Sequence, residues 1–207
     1  PLTRLRTRLE QLHTDLDKDS SNAIYVEHSI ADADQLLATF GALLRIARID
    51  AGGVKANFDM VDLAALVRDA AELYDVVAEE KQIDINIQLE AKPLVYGDRD
   101  LLFQAIINLL DNAIKYSPKS GRIMLQLSER DQRPMLSISD NGPGIPDQEH
   151  SKVLQRFYRM DQSRSEHGSG LGLSLVAAVA RMHNTGLEFA DNHPGLIVEL
   201  LFPLQSE

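Results

Sequence analysis

The chain has 207 residues, 44% hydrophobic and 25% charged, with no cysteine and 21 basic against 31 acidic side chains for a formal charge of −10. That length accommodates one domain of about 150 residues plus a smaller appendage, with the composition of a folded globular protein. Disulfides and thiolate metal sites are excluded, and the acidic balance argues against binding to nucleic acid or anionic membrane driven by the overall field.

Leu2, Leu5, Leu9, Leu12 and Leu16 recur at spacings of three and four, which predicts a first helix with a narrow apolar seam. Asp19, Ser20, Ser21 and Asn22 supply turn chemistry, and Val26, Ile30, Ala33, Leu37, Phe40, Leu44 and Ala47 repeat the rhythm as a second helix. Such a hairpin, residues 1–50, has too little area to stand alone, so two copies are expected to pair into a four-helix bundle. The other arrangement is a hairpin packed on its own globular domain. Ala51-Gly52-Gly53 breaks the helical pattern, giving a linker over 51–55 and a second domain over 56–207. No apolar run approaches the roughly 20 residues of a spanning helix, and no signal peptide opens the chain. It begins at Pro1 inside a helical pattern, so a fragment of a longer protein is expected, with any membrane anchor upstream.

In the second domain Leu63, Val67, Ala70, Tyr74 and Val77 form a helical stripe, and Ile83, Ile85, Ile87 and Leu89 alternate as a strand. Asp98 is placed to cap a helix running to about Tyr116. Two strands follow around Ile123 to Leu127 and Leu136 to Ile138, then a helix over 170–184 and closing strands at Leu187–Phe189 and Leu196–Phe202. The order predicts an α+β chain whose second domain is an α/β sandwich, a mixed sheet covered by helices on one face.

Three motifs in this domain carry chemistry. Asn108, Asn112 and Lys115 share one helix face, where two amides and an ammonium suit a metal-phosphate group; taken singly, the same face is an ordinary solvated one. Asp140 follows Leu136 and Ile138 at period two and leads into Asn141-Gly142-Pro143-Gly144-Ile145, where a buried carboxylate beside a glycine turn can accept from an exocyclic amine. Asp-Asn-Gly is equally a plain turn signal. Gly168-Ser169-Gly170-Leu171-Gly172-Leu173 precedes an apolar helix and offers backbone N–H groups to a polyphosphate, although it fits neither the Rossmann nor the P-loop fingerprint. Between the glycine clusters, a stretch over about 146–169 centred on Val153, Leu154, Phe157 and Tyr158 reads as a lid or as a surface loop with a short helix.

Together and in this order, Asn108-Leu-Leu-Asp-Asn-Ala-Ile-Lys-Tyr116, Asp140-Asn-Gly-Pro-Gly-Ile145, Arg156-Phe-Tyr-Arg159 and Gly168-Ser-Gly-Leu-Gly-Leu173 resemble the N, G1, F and G2 boxes of sensor histidine kinases. The resemblance covers the whole chain, since the hairpin is similar to that family's dimerisation and phosphotransfer domain. It implies the ATP-binding sandwich shared with gyrase, chaperone and mismatch-repair ATPases. It further implies that Asn112 ligates Mg²⁺, Asn108 and Lys115 support the phosphates of ATP, Tyr116 lines the site and Asp140 holds the adenine amine. Gly142, Gly144 and Ile145 would shape the base pocket, and Arg159 would approach the phosphates from the lid. Gly168, Gly170 and Gly172, with Leu171 and Leu173 between and after them, would present the lid's end. Asn108, Lys115 and Arg159 form the implied catalytic set. Hydrolysing relatives carry glutamate at the position of Asn108, and an amide is a poor general base, which favours transfer to a protein over hydrolysis.

Two positions depart from the family pattern: Leu154-Gln155, where Phe and an acid are common, and Leu196 after Gly195, where threonine is common. Pro1-Leu2 looks like the tail of the phosphoacceptor box, and none of His13, His28, His150, His167, His183 or His193 replaces that acceptor. The resemblance implies a homodimer through the hairpin and a response regulator receiver domain docking on the hairpin's outer face, with no nucleic acid; Arg4, Arg6 and Arg8 are either part of that docking face or an ordinary solvated basic face. It also implies a cytoplasmic domain of an inner-membrane sensor protein. The alternatives are a degenerate nucleotide-binding scaffold and a hydrolytic ATPase.

Overall fold

Helices α1 (Leu2–Asp15) and α2 (Ser21–Asp50) form the N-terminal hairpin in the computed structural model, which describes residues 2–15, 21–52, 57–90, 93–160 and 169–204. Leu16, Gly53 and Gly168 lie outside the described residues. The two helices meet through small side chains, with Ala23 and Ala33 buried, and through an ion pair from Arg6 to Asp34. The apolar stripe of α2 divides along its length. Towards its C-terminus, Ile46 and Ile49 are buried in the main core with Ala42 and Leu43 packed beside them, while the predicted seam residues Phe40 and Leu44 are exposed. The helix is therefore apolar on two sides, which a single three-four reading cannot separate. Gly52, at φ +64°, carries the chain out of it, and the Gly52 N–H donates to the Ile49 carbonyl at 3.0 Å.

The remaining elements are β1 (Phe58–Asp62), α3 (Leu63–Glu80), β2 (Asp84–Leu89), β3 (Leu94–Asp98), α4 (Arg99–Tyr116), β4 (Arg122–Arg130), β5 (Arg133–Asp140), α5 (Gly172–Met182), β6 (Gly186–Asp191) and β7 (Leu196–Leu201). Five strands form one mixed sheet in the order β2-β4-β5-β7-β6, parallel between β2 and β4 and antiparallel elsewhere. Alternation places Ile123, Leu125, Leu127, Leu136, Ile138 and Val198 on the face that packs against α3, α4 and α5. The other face carries charge, including Arg130, whose guanidinium donates to both Glu199 oxygens at 2.7 Å. This is the α/β sandwich expected.

A two-stranded antiparallel sheet of β1 and β3 was not foreseen. It pairs Phe58 with Asp98 and Asp62 with Leu94, and each strand ends on an aspartate that starts a helix. Asp62 accepts from the Ala65 N–H at 3.1 Å; Asp98 accepts from the Asp100 and Leu101 N–H groups at 3.1 Å, as the sequence predicts. Five residues paired to a partner across a whole helix carry too little local signal to declare a strand. At the far end of α5, His183 ties the layers together: its Nε2 accepts from the Asp98 N–H at 2.9 Å, Nδ1 donates to the Val179 carbonyl at 2.8 Å, and the ring stacks on Phe58. The helix predicted over 170–184 is shorter at both ends, because Gly170 (φ +70°) and Asn184 (φ +50°) adopt left-handed backbone.

Candidate functional site

A cavity of about 830 Å³ opens between α4, the end of β5 and the start of α5. α4 turns Leu102, Ile106, Leu109 and Leu110 into the core, which aims Asn108, Asn112 and Lys115 from its other side at the cavity. Asn108 Nδ2 donates to the Gln104 carbonyl at 2.7 Å, so its Oδ1 faces the glycine loop. A Cβ placed on Gly172 would lie 3.2 Å from Asn108 Oδ1 and 3.5 Å from Asn112 Nδ2. Both amides and the backbone at Gly172 thus converge, and Gly170, Gly172 and Leu173 all line the cavity. Leu171 instead turns its side chain into the core, 1% exposed. Lys115 Nζ sits 5.1 Å from the centre of the Tyr116 ring.

Asp111, between the two asparagines, also lines the cavity and was not singled out from the sequence. Burial pushes its carboxyl up, while Lys115, the Tyr74 hydroxyl and Lys81 pull it back. Tyr74 is pushed up to about 12, first by burial and then by Asp111. Lys81 Nζ closes the C-terminus of α4 by donating to the Ile114 and Lys115 carbonyls at 3.1 and 3.2 Å.

Asp140 lines the same cavity, 7% exposed and on the apolar side of β5 as its period predicts. Burial raises its carboxyl pKa, and the N–H groups of Gly142 and Leu196 lower it, the first donating at 2.8 Å. A carboxylate offers about four lone-pair directions, so capacity remains for a ligand's donor. Glycine is required around it. A Cβ on Gly142 would meet the Tyr116 carbonyl at 2.7 Å, and one on Gly144 (φ +72°) the Gly195 carbonyl at 2.8 Å. At Gly195 (φ +123°) a Cβ would fall 1.8 Å from the Asp140 carbonyl oxygen. The departure at Leu196 is accommodated by its backbone: the N–H reaches Asp140 whatever the side chain, and Leu196 joins Ile138, Ile145 and Val198 as an apolar wall. Ser117 also lines the cavity, and its Oγ is, among the described residues, the buried side-chain polar atom with no hydrogen-bond partner. The unfilled capacity of Asp140 beside the apolar wall fits a flat polar ligand such as a nucleobase.

The described part of the lid stretch begins with a short 3-10 turn, Asp147–Glu149, whose Glu149 accepts from Lys152 Nζ at 2.8 Å and from the Tyr158 hydroxyl. Phe157, at φ +65°, donates its N–H to the Gly170 carbonyl at 3.0 Å, which brings Tyr158, Arg159 and Met160 to the cavity wall. Gln35 of α2 lines it as well, a position the sequence reading did not connect with the site. His150 bonds the Ile145 carbonyl at 2.9 Å, and residues 161–168, with His167 and Gly168, lie outside the described residues.

Residues 97–206 match the family model described as histidine kinase-, DNA gyrase B- and HSP90-like ATPase. The chain is 36% identical over 202 residues to the signal transduction histidine-protein kinase/phosphatase MprB of Mycobacterium sp. (strain KMS), covering 94% of this chain and 38% of that protein. The chain belongs to the sensor histidine kinases. These act in two-component signal transduction and carry an ATP-binding domain. This histidine kinase chain spans well under half the length of that curated relative. Full-length ShkA in complex with AMPPNP superposes with a TM-score of 0.80 at 25% identity, covering 98% of this chain and 44% of ShkA. ThkA in complex with the response regulator TrrA gives 0.71 at 19% identity, covering 98% of this chain and 56% of that one, a likeness of fold.

Proposed function

We propose that the chain binds Mg²⁺-ATP in this cavity and donates the γ-phosphate to a histidine nitrogen supplied outside these 207 residues, with ADP leaving. The phosphoryl group then passes to an aspartate carboxylate of a response regulator. The observation that carries the reading is the gathering of two sets of groups in one cavity: buried Asp140 with its unfilled acceptor capacity, and the α4 face of Asn108, Asn112 and Lys115, whose two amides converge on Gly172. Asn112 would hold the metal as a hard oxygen ligand, and the ion would supply charge neutralisation on the phosphates. Lys115 and Arg159 would add fixed positive charge, and Asn108 at the position of a general base disfavours hydrolysis.

ShkA binding AMPPNP and ThkA binding a response regulator support the nucleotide and partner assignments. The exposed Leu5, Leu12, Leu36, Phe40 and Leu44 of the hairpin support pairing with a second copy. No helix among the described residues is long and apolar enough to cross a membrane, and placement as the cytoplasmic part of a membrane sensor is part of the proposal. Titration with a fluorescent ATP analogue, with and without Mg²⁺, tests the site. Radiolabelled ATP offered together with a peptide or domain bearing the family's acceptor box tests the transfer, through acid-labile, base-stable label. Nucleotide binding without such label would reassign the chain as a nucleotide-binding scaffold.

A further inference from the structure

Asp50, the last residue of α2, accepts from two arginines of the catalytic domain: Arg156, at the foot of the lid stretch, and Arg181 in the last turn of α5, the latter at 3.0 Å. The carboxylate is held in place by its neighbours, since Ile46 and Ile49 are buried in the catalytic core a turn or less away. One residue beyond Arg156, the Phe157 N–H bonds the carbonyl of Gly170 in the glycine loop. A second link leaves the same helix, where Arg45 Nη1 donates to Gln104 Oε1 at 2.9 Å and the Gln104 carbonyl in turn accepts from Asn108. The C-terminal third of α2 therefore touches both components of the proposed phosphate site, the lid foot and the asparagine face.

We propose that Asp50 is a positioning residue for nucleotide binding: by tying Arg156 to Arg181 it holds Phe157, Gly170 and the lid foot in the shape that receives the phosphates. The inference rests on the nucleotide reading above. An ion pair this exposed adds little to global stability. It acts on a local balance, where even the roughly 1 kcal/mol of a good surface pair converts to about a five-fold change in affinity. By linkage, nucleotide binding must strengthen the seat of α2 on the catalytic domain by the same factor. When that domain leaves its hairpin, the clamp opens and affinity falls.

The test uses the whole chain as wild type, Asp50→Asn, Asp50→Glu, Arg156→Gln and the Asp50→Asn/Arg156→Gln double variant. Each is titrated with a fluorescent ATP analogue in Mg²⁺, and amide exchange is followed at Phe157 and across α4. Asp50→Asn is expected to weaken binding by about two- to five-fold and to speed exchange at Phe157 while α4 stays protected. Asp50→Glu should retain the affinity, and the double variant should be no weaker than Arg156→Gln alone. Unchanged or tighter binding in Asp50→Asn, or additive losses in the double variant, would overturn the inference. So would faster exchange throughout α4, which would mark general loosening of the fold. A wild-type chain that takes up no nucleotide refutes the site itself, an outcome separate from failure of the clamp.

Discussion

Around Asp140, the part of the cavity proposed to take the base, the carboxylate is buried, fixed by backbone N–H groups from Gly142 and Leu196 and backed by a glycine at 195 that admits no Cβ, whereas the part proposed to take the phosphates relies on side chains. Asn108, Asn112 and Lys115 project from one helix, and the lid foot is tied down by the exposed Asp50, Arg156 and Arg181. A base is flat and its edge pattern constant, so a preformed acceptor on a sheet costs no rearrangement when it binds. A polyphosphate with its metal must enter, react and leave as a different species, and surface ion pairs that open easily suit that cycle.

The comparison breaks most severely at Gly195→Ala, because the new methyl would have to displace the Asp140 carbonyl while alanine is forced to a φ of +123°. Urea unfolding should show a loss of about 2–4 kcal/mol, with nucleotide affinity falling in parallel. Asp140→Ala should leave the fold cooperative but weaken ATP binding by at least about 10-fold and erase the preference for adenine over guanine nucleotides, read by competition titration. In the part proposed to take the phosphates, Asn112→Ala is expected to lower affinity by about 10-fold in Mg²⁺ and to have little effect without the metal, so that the two titration curves converge.

A smaller effect concerns acid. His183 is buried as the neutral ring, Nδ1 donating and Nε2 accepting, and burial holds its pKa below the ordinary value. The unfolded chain takes up that proton first, so its contribution to stability is complete above an unfolded pKa of about 6.5 and is lost as pH falls through that value towards the lowered one. The urea midpoint should therefore drop between pH 7.5 and 5.5 by more in wild type than in His183→Gln. Smallest of all, Arg99→Ala removes an exposed ion pair with Asp69 that touches neither part of the cavity, and its unfolding free energy should stay within about 0.5 kcal/mol of wild type. A larger loss there would undermine the argument that the Asp50 clamp acts locally.

Residue pattern by itself determined the helical hairpin, the sandwich and which faces most of the candidate site residues share, because those features repeat at short range: period two in β4 and β5, three-four spacing in α3 and α4, an aspartate at 98 before a helix. The face shared by Asn108, Asn112 and Lys115 follows from helical geometry alone, and the inward side of Asp140 from strand alternation. Other features were decided by tertiary structure. The strand β1 exists only because β3 pairs with it, Gly195 matters only because β7 brings it against Asp140, and Leu196 contributes through a backbone group that no side-chain pattern records. The division of α2 into two apolar faces, and the meeting of Asp50 with Arg156 and Arg181, join residues more than a hundred positions apart. Local sequence fixes which way a side chain points from its own helix or strand, but the partner it meets there is set by how the layers pack.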